Sequence, residues 1–112
     1  MHSNDSFFCS RGLTNLIILD LSNNGLKEVP LFTGQDCKHL MRLSLKNNLI
    51  SEIHVNAFQH LEELDSLDIS GCGIQSIQEE AFTRLERLKN LRLENNRLNT
   101  LSPSRNFPPG LR

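Results

Sequence analysis

The sequence predicts an α/β repeat protein: a right-handed solenoid of about four units, with a parallel β-sheet on the concave face and irregular or short helical segments on the convex face. Three observations carry that expectation. Four segments, LIILDLSNNGL from Leu16, LMRLSLKNNLI from Leu40, LDSLDISGCGI from Leu64 and LKNLRLENNRL from Leu88, align without gaps at a step of 24 residues. Each contains two apolar residues two positions apart, and each then places an asparagine, or in the third unit a cysteine, among apolar neighbours. Neither strict alternation nor a helical stripe accounts for that pattern, whereas a short strand followed by a turn does.

The strands are expected near residues 18–22, 42–46, 66–70 and 90–94. Side chains two apart on a strand share a face, so Leu19 and Leu21, Leu43 and Leu45, Leu67 and Ile69, and Leu91 and Leu93 should point into a common core. The intervening Asp20, Ser44, Asp68 and Arg92 then point the other way, toward water. No unit can bury its leucines alone, and stacking neighbours buries them all.

At the end of each strand the chain turns away inside the stack, leaving backbone groups that have left the sheet. A buried, unpaired N–H or C=O costs about 1–3 kcal/mol, and asparagine can donate and accept at once. Asn24, Asn48 and Asn96 are therefore expected to form a structural ladder. Cys72 takes the equivalent position in the third unit as a small, buried, weakly hydrogen-bonding substitute. The return halves IHVNAFQHL and IQEEAFTRL match at Ala57 and Ala81, Phe58 and Phe82, Leu61 and Leu85, so the phenylalanines should line the outer wall. In the first unit Gly34 and Cys37 stand where Phe and Leu belong, with Phe32 placed to compensate; Cys37 reads as a buried core thiol. In the fourth unit Phe107 comes one residue late.

Over roughly residues 13–108 these segments resemble leucine-rich repeats, and the 24-residue length with its AF pair resembles the subclass found in animal extracellular and cell-surface proteins such as Toll-like receptors and Slit-type guidance proteins. The resemblance implies a non-catalytic protein-recognition module of a receptor or adhesion protein, extracellular or at the cell surface as part of a larger chain. The cysteine-rich caps of that family are missing from both ends, so a fragment is expected. Residues 1–12 then read as an N-terminal flank or the remnant of a preceding repeat, and residues 109–112 as a truncated end.

Composition narrows the function further. Twelve basic and 13 acidic residues are spread along the 112-residue chain for a net charge of -1. No basic stripe is present to engage nucleic acid or an anionic membrane surface. No apolar run of about 18 residues and no signal-like leader occurs. Cys9, Cys37 and Cys72 are an odd number at no metal-ligand spacing, so at least one thiol should be free; a Cys9–Cys37 disulfide is left open. His2, His39, His54 and His60 fall outside the strands and read as surface residues, and Glu62–Glu63 and Glu79–Glu80 as solvated charge. No enzyme activity, cofactor or metal is expected. Asn4 begins an N-glycosylation sequon.

What remains is the polar strand face. Its columns read Ile18, Arg42, Ser66, Asn90; Asp20, Ser44, Asp68, Arg92; and Ser22, Lys46, Ser70, Glu94. The charged members Asp20, Arg42, Lys46, Asp68, Arg92 and Glu94 are the candidate protein contacts, because side chains on fixed strands lose little entropy on binding. Four strands about 4.8 Å apart, each showing about five residues, present roughly 300 Å². A standard interface takes about 800 Å² per partner, so the face would be part of a larger site. The alternative is a spacer that positions neighbouring binding segments.

Overall fold

A computed structural model describes residues 16–30, 32 and 37–98. The expected N-terminal flank and truncated end, with Asn4, Cys9, Leu13, Gly34 and Phe107, lie outside the described residues. Every pair of facing strand residues is 24 positions apart. β1 (Ile18–Asp20), β2 (Arg42–Ser44), β4 (Ser66–Asp68) and β6 (Asn90–Arg92) form one parallel sheet in that order. Its register sets Leu19 beside Leu43, Leu43 beside Leu67, and Leu67 beside Leu91. A one-residue slip would turn every leucine to solvent, so the apolar pattern fixes this register.

The strands are three residues long rather than five, although interstrand bonds continue beyond them. Leu21 N–H donates to Ser44 O at 2.9 Å and Asn23 N–H to Lys46 O at 3.0 Å, with the same steps repeated at Leu45, Asn47, Ile69 and Gly71. The chain leaves extended geometry where Asn23, Asn47, Gly71 and Asn95 take φ of 62°, 60°, 68° and 62°. Asparagine and glycine tolerate that left-handed conformation best, which explains an N/N/G/N column that the apolar pattern alone leaves unread.

Beneath the sheet the paired residues of the first three units are buried, Leu45 and Ile69 fully so, while Leu91 and Leu93 of the fourth are partly buried. Among the described residues the return segments form turns, not helices. Isolated i→i+3 bonds, such as Leu61 N–H to Phe58 O and Leu85 N–H to Phe82 O, close single turns that do not propagate. Between them lies an unexpected second parallel pair, β3 (Glu52–Ile53) with β5 (Ser76–Ile77), which buries Ile53 and Ile77. Phe58 and Phe82 are buried and stacked, with ring centroids 6.0 Å apart. In the first unit Phe32 is buried. Cys37 is buried too, but the reading of it as a thiol is corrected: it is disulfide-bonded, with its partner outside the described residues.

The side chain of Asn48 shows what the turns need. Its Oδ1 accepts from Asn24 N–H and Leu26 N–H, both at 2.9 Å, and its Nδ2 donates to Leu21 O at 3.0 Å and Leu45 O at 2.8 Å. All four bonding positions are used, on a residue 2% exposed. Asn96 repeats the set, accepting from Cys72 and Ile74 N–H and donating to Ile69 and Leu93 carbonyls. Asn24 is exposed, and its side-chain Nδ2 donates to Leu21 O and Ser22 O. Cys72, a buried free thiol, donates to Leu45 O at 3.2 Å. Burial pushes its pKa up, against the backbone N–H groups of Asn48, Asn47 and Ile50 that face the sulfur. Sulfur is a weak acceptor, so this rung of the ladder is the poorest.

Cys72→Asn should leave the thermal midpoint unchanged or raise it, whereas Asn48→Leu should lower stability by about 1–3 kcal/mol by stranding buried turn groups. Chemical denaturation of the two variants beside the parent checks both signs. Strong destabilisation by Cys72→Asn would contradict the ladder geometry.

Candidate functional site

Because side chains alternate across a strand, burying the leucines pushes their neighbours onto the opposite face. Ile18, Asp20, Arg42, Lys46, Asn90, Arg92 and Glu94 are exposed there, and Ser22, Ser44, Ser66 and Asp68 half-buried. Ser70, expected to face water, is instead buried at 6% exposure, because its hydroxyl turns to donate to Asp68 Oδ1 at 2.6 Å. Together the strands hold a shallow groove of about 370 Å³, lined among others by Asp20, Arg42, Ser44, Asp68 and Arg92.

The two aspartates are held in place. Asp20 Oδ1 accepts from Ser22 N–H at 3.0 Å, and Asp68 Oδ1 from Ser70 N–H at 3.0 Å. Each is a local turn bond between residues i and i+2 that fixes the carboxylate plane. Ser22, through its hydroxyl and then its backbone N–H, holds Asp20 below the usual carboxylate range, with a smaller contribution from the Lys46 charge. Hydroxyls of Ser22 and Ser44 lie 2.7 Å apart, and Asn90 Nδ2 donates to Ser66 Oγ at 3.4 Å. Arg92 pairs with Glu94, two residues on in the same unit, at 3.2 Å, whereas Arg42 and Lys46 have no ion pair among the described residues. The serine contacts were not legible in the sequence, since any polar residue suits a solvated face.

Elsewhere, His39 Nδ1 lies 3.2 Å from Glu63 Oε2, with both side chains partly exposed. His54 Nε2 lies 3.8 Å from Glu52 and its Nδ1 3.1 Å from Gln78 Nε2. A second cleft of about 440 Å³ runs beside Met41, Glu63, Asp65, Glu86, Arg87 and Lys89. Among the described residues no three His, Cys, Asp or Glu side chains converge as metal ligands, and no helix is long and apolar enough to cross a membrane.

A family model described as leucine rich repeat matches residues 14–74 and again 63–105. Comparison with curated protein sequences gives no significant match.

Depressed in the folded state, the Asp20 pKa makes a contribution to stability that is present above the ordinary value of 3.8 and lost as pH falls through its lower folded value. Ser22→Ala should raise the Asp20 midpoint part of the way back, since the Ser22 N–H bond survives the substitution. Titration of the side-chain carboxyl by NMR in both proteins reads the change; an unmoved midpoint would exclude the hydroxyl as a cause.

Proposed function

The chain belongs to the leucine-rich repeat family, and on that premise we propose that it is a non-catalytic recognition module of an extracellular or cell-surface receptor or adhesion protein, binding a protein partner through its strand face. Domains of this family are generally protein-interaction modules. The observation that carries the proposal is the groove, in which charged and hydroxyl side chains stand on four registered strands beside anchored Asp20 and Asp68. A surface so fixed gives up little conformational entropy on contact. The 24-residue repeat supports the animal extracellular subclass, and the disulfide at Cys37 supports an oxidising compartment. We take the solenoid as right-handed, because crossovers between parallel strands are right-handed in about 98% of cases, and the strand face as its concave side, because strands line the inside of the horseshoe in this family. Arg42, Lys46, Asp68 and Arg92 are the preferred contacts, able to form charge-assisted bonds.

Replacing these four by alanine should weaken partner binding of the intact protein by about tenfold or more, while Glu63, Gln78 and Glu79 replaced together should leave it unchanged. A photo-crosslinker at Ser44 should capture the same partner that one at Glu79 misses. The reverse pattern would move the site to the return segments, and no effect from either set would favour the spacer.

A further inference from the structure

Cys37 has a disulfide partner outside the described residues, and Cys72 is a free thiol. The chain has three cysteines, so within one molecule Cys9 alone is left to bond it. We propose that a Cys9–Cys37 disulfide straps the segment before β1 to the first repeat and closes that end of the core. Such a strap is independent of what the strand face binds.

The 24-residue step supports the pairing. Continued backwards, it sets FFCSRGL, Phe7 to Leu13, against the first unit's return segment LFTGQDC, Leu31 to Cys37, with Phe8 in the column of Phe32 and Leu13 in that of Cys37. Phe32 is buried, as are Phe58 and Phe82, which match each other at the same step. Two steps further along, the places of Cys9 and Cys37 are held by Ala57 and Leu85. Leu85 lies in the core and Ala57 packs against it, so these two columns reach one interior from successive units. Where β3 and β5 pair on this side of the stack, units stand about 4.8 Å apart, within the Cα separation of about 4.4–6.8 Å that a disulfide spans.

The end to be closed lies at β1, an edge strand that pairs with β2 on one side. Its neighbours Leu19 and Leu21 are nevertheless buried, and Leu16, Leu26 and Val29 pack partly buried against the same core. The end of a stack of repeats needs a cover of this kind. Making the bond joins the two Sγ atoms, releases two protons and passes two electrons to an oxidant of the disulfide class, such as oxidised glutathione, which leaves as two thiols. Cys72 stays out of that exchange, because it is buried and its S–H is committed to Leu45 O. Reduction therefore loosens the first repeat before the third.

Tryptic mapping of the purified chain without reductant, thermal denaturation and amide exchange test this. Residues 1–11 should be recovered joined to residues 28–38 in monomeric protein. Cys9→Ser, or reductant added to the parent, should lower the thermal midpoint by about 10 °C, and reductant should not shift Cys9→Ser further. Amide exchange in the reduced parent should quicken about tenfold or more at Leu21 and Asn23, which bond to Ser44 O and Lys46 O, and far less at Ile69 and Gly71. Cys37 open to a thiol probe in unreduced, denatured protein, or linked to a second copy, would overturn the pairing. A midpoint unmoved by reductant, or exchange quickened equally in all four strands, would overturn the closing role.

Discussion

Four hydrogen bonds from one asparagine side chain hold the turns of two successive repeats together. Asn48 ties Leu21 and Leu45 carbonyls, at the ends of two strands, to the N–H groups of Asn24 and Leu26 in the preceding turn. Without such a group the chain could not leave the sheet inside the stack, because each stranded polar group would cost about as much as a leucine gains by burial. The leucine core and the asparagine ladder therefore depend on each other. Burial brings the turns inside, and the ladder makes that burial tolerable. Where Cys72 replaces asparagine, the thiol keeps the volume and one donor but offers only sulfur as an acceptor.

The strand face follows from this arrangement. Once the leucines are committed to the core, Asp20, Arg42, Ser44, Asp68 and Arg92 must share the opposite side at spacings set by the sheet. Turn bonds to Ser22 and Ser70 fix the aspartates, which leaves their remaining carboxylate oxygens oriented before any partner arrives. A family built for protein interaction thus presents here a patterned row of charge, not a field of one sign.

Sequence alone determined the parts that repeat. A 24-residue step, leucines two apart and a recurring asparagine specify parallel strands and their register, because backbone pairing and pleat alternation act identically in every unit. They also specify which side chains are turned from the core. Tertiary structure decided what depends on neighbours across the stack. Ser70 is buried and Asn24 exposed although both occupy repeated positions, since one lies between units and the other in the turn after the first described strand. The return segments close as single turns with a β3–β5 pair rather than as helices, because their bonds reach from Gln75 and Gln78 back to Ser51 and Ile53, a preference invisible within either segment. Cys37 fills a leucine's place, yet whether it stays a thiol depended on a partner that chain folding alone could bring to it.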